Sequence, residues 1–327
     1  MSAEPIVACV TGADGFLGRD LCRRLVADGL GEVRALVRRS EAADGLAALG
    51  ARPVTGDLRE REAVERLLAA GCTVFHLAYD RAGSPEDNLS AAGTLVDCCL
   101  RAGVRRLVHC STAMVVGKTR AVMVTEETPC SPVDRYQRTK LEIERLLVGR
   151  ATTDLEVVIV RPTAVFGPGG ENLLKLAREI AAGEHRRPVG YLRAAFQGRR
   201  RMNVIPVGNA VAALAFLGTR AGRHDQRLFI LAEDDHPANN YADVAAVLAS
   251  GLGARPFRLP VVLAPSWALR AALRTLGRAQ AEPCRRFDCG RLLRAGFRRP
   301  CDFVQELRFF AEWFRAEVGQ APRQGVV

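Results

Sequence analysis

Lysine is scarce in this chain: Lys118, Lys140 and Lys175 stand against 44 Arg in 327 residues. Tyrosine numbers four, and aromatic residues make up 6%. No aromatic-basic interleaving, finger or helix-turn-helix pattern is present, so nucleic acid is not an expected partner despite a net charge of +11. The charge is read instead as arginine usage spread over solvated faces. No long apolar run occurs. Leu259 to Leu273 is broken by Pro265 and Arg270, and is too short to span a bilayer. A strand-like run stands almost at the start, which leaves no room for a signal peptide. The ten cysteines show no paired metal spacing, so no metal is expected and the thiols read as reduced, in a cytoplasmic setting. Cys98 and Cys99 fall in a predicted helix and read as small apolar packing. Internal repeats and low-complexity linkers are absent, and the tail from about Gln320 is expected to fray.

Against that scarcity, Tyr136 and Lys140 stand four residues apart. Shuffling the chain would give such a pair in roughly 4% of cases. Positions i and i+4 share one helix face. An ammonium beside a phenol favours phenolate, so the pair predicts a tyrosine with a lowered pKa, able to move protons near neutral pH. A compact ammonium also suits a ribose hydroxyl.

A second pattern lies near the start. Ile6-Val7-Ala8-Cys9-Val10 is apolar and β-branched, Thr11-Gly12-Ala13-Asp14-Gly15-Phe16-Leu17-Gly18 follows, and Arg19 to Asp28 is amphipathic. That order predicts strand, tight turn and helix. Gly12 permits the turn, Gly15 lets backbone approach a pyrophosphate, and Gly18 lets the helix pack on the strand. Phosphates would sit at the helix N-terminus.

Strand-like runs near 6–11, 32–37, 52–55, 73–77, 105–111 and 156–161 alternate with helical periodicity at 16–28, 60–70, 86–102 and 134–149. This predicts an α/β fold with a doubly wound parallel sheet. Residues 1–166 read as a dinucleotide-binding domain, with 203–231 returning to it. A smaller substrate lobe is expected from 167–202 and 232–327. Ligands in such sheets bind beyond the carboxyl ends of the strands, which puts Gly12, Asp57, Ala78, Thr112 and Pro162 on one rim.

Gly12-x-x-Gly15-x-x-Gly18 with Tyr136-x-x-x-Lys140 resembles the extended short-chain dehydrogenase/reductase family. Further stretches fall in family order: Gly56-Asp57-Leu58, Phe75-His-Leu-Ala78, His109-Cys-Ser-Thr112, Arg161-Pro-Thr-Ala-Val-Phe-Gly167 and Asn203-Val-Ile-Pro-Val-Gly-Asn-Ala210. The resemblance implies a Rossmann fold, a nicotinamide coenzyme and hydride transfer at a secondary alcohol or ketone. Tyr136 would exchange the hydroxyl proton, Lys140 would assist it and hold the ribose, and Thr112 would position the carbonyl oxygen. The resemblance also puts Gly12, Gly15, Phe16, Leu17, Gly18, Leu58, Leu77, Ala78, Ser111, Pro162 and Val165 beside the coenzyme. Asp57 would bond the adenine amino group or cap the following helix. On the substrate side stand Thr112, Asn172, Arg193 and Arg201. His76 and His109 are read as structural. Pairing of two copies through the helices near 86–102 and 134–149 is implied by analogy alone.

No acid ends the second strand, where Val37 stands before Arg38 and Arg39. An arginine pair there suits a 2′-phosphate, so NADP is favoured over NAD. Ala113-Met114 follow Thr112 where the family's sugar dehydratases carry acids, which argues against that reaction. Ser90 stands where many members have Asn, and Tyr79 replaces a small residue and is expected to narrow the nicotinamide end. Three readings of function remain open. The first is an epimerase or 4-ketoreductase of a nucleoside-diphosphate sugar, favoured by the arginines at 186, 187, 193, 199, 200 and 201. The second is an NADP-dependent reductase of an apolar ketone, of hydroxysteroid or dihydroflavonol type. The third is a dinucleotide sensor without catalysis, against which the Tyr136, Lys140 and Thr112 set argues.

Overall fold

The computed structural model describes residues 6–29, 31–255, 261–265, 267, 282 and 284–318. Much of the apolar segment Leu259–Leu273, and the tail from Gln320, lie outside the described residues. The first half alternates strand and helix: β1 (Ala8–Thr11), α1 (Phe16–Ala27), β2 (Val33–Val37), α2 (Ser40–Ala47), β3 (Arg52–Thr55), α3 (Arg61–Leu67), β4 (Thr73–His76), α4 (Pro85–Arg101) and β5 (Arg106–Cys110). A short 3-10 turn, Ala113–Val116, precedes β6 (Met123–Val124), α5 (Arg135–Gly149), β7 (Glu156–Pro162) and β8 (Ala164–Phe166). Then come α6 (Leu174–Ala181), α7 (Pro188–Gln197), β9 (Val204–Pro206), α8 (Val207–Thr219), β10 (Leu228–Leu231), α9 (Tyr241–Gly251) and β11 (Arg286–Phe287). The helix 60–70 expected from the sequence is shorter, and α2 was not expected: Asp44 and Gly45 interrupt its pattern.

Seven strands form one parallel sheet in the order β10-β7-β5-β4-β1-β2-β3. The doubly wound sheet is therefore as expected, with β10 added at one edge. Strands buried on both faces read as near-continuous apolar runs, and β1, β4, β5 and β7 are buried at every residue. One face packs against α1 and α8 through Val10, Leu21, Val108 and Leu214. The other packs against α3, α4 and α5 through Cys9, Val64, Leu95, Leu107 and Ile143. Cys98 and Cys99 are buried in that second layer.

Two buried ion pairs tie helices and loops to the sheet. Arg161 on β7 grips Glu144 on α5 with Nε at 3.0 Å and Nη2 at 2.6 Å. Arg106 on β5 donates to Glu156 at 2.7 Å and to the carbonyls of Leu217 and Gly218, so it also closes the end of α8. Removing one partner of either pair would strand a buried charge. A separate, smaller core gathers Phe166, Ala177, Ile180, Val204, Val244, Leu248, Phe303 and Phe310. Phe287, Leu292 and Phe297, though late in the chain, pack instead with the core under α1 and α8.

Candidate active site

Strand order reverses between β1 and β4, and a crevice opens at their carboxyl ends. The glycine turn sits there. Gly12 has φ +69°, and a Cβ would stand 2.7 Å from the Ala78 nitrogen. A Cβ on Gly18 would overlap the Gly12 carbonyl oxygen. Gly15 is the N-cap of α1, with no side-chain cap and no acid in the first turn. The first N–H groups of α1 thus have no side-chain cap at the crevice, as a pyrophosphate cradle requires.

Two cavities meet at Gly12, Gly15, Leu77 and Tyr79. The smaller, of about 320 Å³, is lined by Arg38, Asp57, Leu58, Arg59, Ala78, Asp80 and Asn88 among others. The larger, of about 760 Å³, runs past Phe16, Leu17, Gly18, Ser111, Thr112, Tyr136, Lys140, Pro162 and Val165 to Asn172 and Arg201. Of the residues expected beside a dinucleotide, Arg38, Asp57, Leu58 and Ala78 line the smaller cavity, and Ser111, Tyr136, Lys140, Pro162 and Val165 line the larger. Two expected residues are placed elsewhere. Arg39 is the exposed N-cap residue of α2, and Arg193 pairs with Glu179 on α6. Sequence reasoning missed Arg81 and Arg285, which line the larger cavity from distant segments. Nothing in their local sequence marks them.

Helix α5 carries Tyr136 and Lys140. Asp134 caps it by accepting from the Gln137 backbone at 2.8 Å, and the Glu144–Arg161 pair fixes its middle to β7. Tyr136 and Lys140 then share the face toward the crevice. Tyr136 and Thr112 both line the larger cavity, and the Thr112 hydroxyl accepts from the Met114 backbone at 3.2 Å. Lys140 is buried, and its ammonium donates to the Cys110 carbonyl oxygen at 3.0 Å. The same nitrogen lies 4.9 Å above the ring of Tyr79, a cation–π contact. Tyr79 in turn packs edge-to-face on Tyr136, with centroids 5.1 Å apart.

The electrostatics correct one expectation. The Tyr136 phenol is pushed up to about 12, first by burial, while Arg81 and the Thr112 hydroxyl act against that. Lys140 is brought down to about 8, again first by burial. Desolvation favours the neutral form of each group, and neither group is among the causes of the other's shift. The ammonium is also turned to the backbone of β5. At rest the tyrosine is a protonated donor, not the acidified phenol that the i, i+4 spacing predicts.

His76 and His109 face each other across β4 and β5, with ring centroids 4.9 Å apart. His76 shares a hydrogen bond of 2.9 Å with Thr11. Burial holds His76 down to about 3 and His109 well below its usual range, so both stay neutral. In the smaller cavity Asp57 is held by Arg59 through Nε at 2.9 Å and Nη2 at 3.0 Å, which lowers its pKa. Asp57 is not a helix cap: Glu60 occupies that position in α3. Ser90 is exposed on α4, whereas Asn88 accepts from the Asp80 backbone at 2.8 Å and returns a bond at 2.9 Å to its carbonyl.

The family model of the NAD dependent epimerase/dehydratase family matches residues 8–230. The chain belongs to that family. The family is described as NAD-dependent epimerases and dehydratases. A 4-hydroxy-2-methyl-3-oxo-4-farnesyl-3,4-dihydroquinoline-1-oxide ketoreductase of Stigmatella aurantiaca is 35% identical over 167 residues, 48% of this chain and 50% of that one. The match thus spans about half the length of that relative. Sterol demethylase protein B of Methylococcus capsulatus is 32% identical over 234 residues, 68% of this chain and 69% of that protein. Among solved structures, the UDP-Glc/GlcNAc 4-epimerase of Campylobacter jejuni superposes with a TM-score of 0.72. That superposition covers 95% of this chain and 99% of the epimerase, at 19% identity, and shows likeness of fold alone. Among the described residues no helix is long and apolar enough to cross a membrane, and no group of side chains suits a metal ion.

Proposed function

We propose that this family member is an NAD(P)-dependent ketone reductase or alcohol dehydrogenase. The observation that carries it is the grouping of Tyr136, Thr112 and Lys140 on the wall of the larger cavity. Bound nicotinamide supplies the hydride chemistry. Gly12, Gly15 and Gly18 leave room for its pyrophosphate at α1, and Lys140 stands where a ribose hydroxyl would reach. Thr112 orients a carbonyl oxygen by hydrogen bonding. Tyr136, protonated at rest, gives that oxygen a proton in reduction and takes it back in oxidation. The neutral histidines take no part. The ketoreductase relative supports the direction of reduction.

The substrate divides two readings. Met114, Met202 and Phe287 give the larger cavity an apolar side, which supports a lipophilic ketone. Arg81, Arg200, Arg201 and Arg285 line the same cavity, and among the described lining residues Glu282 is the one acid. That excess of guanidinium supports the second reading, a nucleoside-diphosphate sugar epimerase or 4-ketoreductase. The lack of acids beside Thr112 speaks against a dehydratase in either case.

Coenzyme choice turns on Arg38. It lines the smaller cavity, but its guanidinium lies 3.4 Å from Asp80, and Asp14, Asp57 and Asp87 line the same cavity. We read the site as admitting both NAD and NADP, with Asp80 restraining the latter. Nucleotide released from the denatured protein tests the main division. A dinucleotide retained at about one per chain is the epimerase result. An empty protein that oxidises added NADPH or NADH with a ketone is the reductase result, and neither behaviour would refute both readings.

A further inference from the structure

Helix α7 is built inside out. Val189, Leu192 and Phe196 are 69%, 56% and 42% exposed. At about 100° per residue they fall within an arc of about 60°, one continuous stripe. The opposite side is lined by small residues. Ala194 is buried, and a Cβ on Gly190 would strike the backbone carbonyls of Glu184 and His185. Small residues inward and large apolar ones outward reverse the usual order for a surface helix. Nor does the stripe end with the helix. The Ala264 nitrogen donates to the Ala195 carbonyl at 2.8 Å, which brings the 261–265 segment alongside, and Val262 there is 78% exposed.

Charge surrounds the stripe. Arg187 is the exposed residue before Pro188, and Arg199 is exposed just past the helix end. From 171 to 202 the chain carries eight basic residues and three acids. Two of those acids are engaged, Glu171 with Arg81 and Glu179 with Arg193. A helix with an apolar face outward and guanidinium groups at its ends has the chemistry of an interfacial helix on anionic lipid. It is convex, and a flat fluid surface accommodates it without a shaped groove. Gln197 and Arg200, at the same end of α7, line the larger cavity.

We propose that the Val189–Leu192–Phe196 face of α7 is a docking surface for an anionic lipid bilayer, which holds the substrate end of the cavity close to the membrane. The inference stands apart from the choice of substrate and of coenzyme. The test is co-sedimentation of the full chain with vesicles of phosphatidylcholine alone, or of phosphatidylcholine with phosphatidylglycerol. The expected result is binding to the anionic vesicles that weakens with salt, and about tenfold weaker partition for Leu192→Ser with Phe196→Ser. Coenzyme affinity of that variant, measured in solution, should match the parent and report that it is folded. If it is not folded, Arg187→Gln with Arg199→Gln carries the test, with the same loss expected on anionic vesicles alone. Equal binding to both vesicles, no binding, or unchanged binding by the variants overturns the proposal. So does concentration-dependent self-association that the apolar variant abolishes, because the face would then belong to a second copy of the chain.

Discussion

The Lys140 ammonium donates to the Cys110 carbonyl oxygen at 3.0 Å, while the ring of Tyr136, one helical turn away, packs edge-to-face on Tyr79 with centroids 5.1 Å apart. The pair is thus held by the end of β5 and by the ring of Tyr79. Both are neutral-leaning through burial, and the lysine carries most of that cost.

The cost gives a pH signature. Lys140 falls from 10.5 to about 8 on folding, so the unfolded chain binds more protons between those values. Stability contributed by this site is lowest below pH 8 and rises as pH climbs from about 8 to 10.5. Lys140→Met should then raise stability at pH 7, by on the order of 3 kcal/mol if all of the shift is relieved. Chemical denaturation of both proteins at pH 7 and pH 10 checks this. A variant less stable than the parent at pH 7 would refute the burial account.

The glycine turn separates folding from binding. Gly18→Ala forces a methyl into the Gly12 carbonyl and should unfold or strongly destabilise the chain. Gly15→Ala meets nothing nearer than the Gly12 oxygen at 3.3 Å, at an ordinary φ of −74°. It should fold, yet lose at least about tenfold in dinucleotide affinity, because the methyl points where backbone meets pyrophosphate. Thermal melting with and without NADH distinguishes the two. Equal melting and equal coenzyme shifts for both variants would contradict the placement.

Coenzyme preference should follow the Arg38–Asp80 pair. Asp80 Oδ1 accepts from the Ala82 and Gly83 backbone, and Oδ2 faces Arg38. Asp80→Asn keeps the loop contacts and removes the charge. NADPH affinity relative to NADH should rise by roughly fivefold, a modest gain because Arg38 is 64% exposed. Arg38→Ala should lower NADPH affinity more than NADH affinity. Fluorescence titration of both coenzymes reads the ratio, and an unchanged ratio in both variants would remove Asp80 and Arg38 from coenzyme choice.

Much of this arrangement was legible in the sequence, and the exceptions share a cause. The β-branched runs and the spaced glycines report local geometry, so the sheet and the α1 turn could be read directly. Tyr136 and Lys140 could be placed on one helix face by periodicity. Their electrostatics could not, since burial depends on what β4, β5 and Tyr79 pack over them. Asp57 reads equally well as a cap or as a ligand until Glu60 is seen at the start of α3. Arg81 and Arg285 reach the cavity from segments far apart in the chain, and only the fold brings them together. Arg193 illustrates the converse: it belongs to a tempting cluster, yet Glu179 one helix away takes it.

The direct test of the account is Tyr136→Phe, which removes one oxygen and keeps the ring against Tyr79. With the ketone identified by coenzyme oxidation, the variant should lose about 10³-fold in kcat/KM while its coenzyme Kd stays within about twofold. Turnover retained within a few fold, at unchanged coenzyme affinity, would mean that the proton comes from another group and that the proposed centre is wrong.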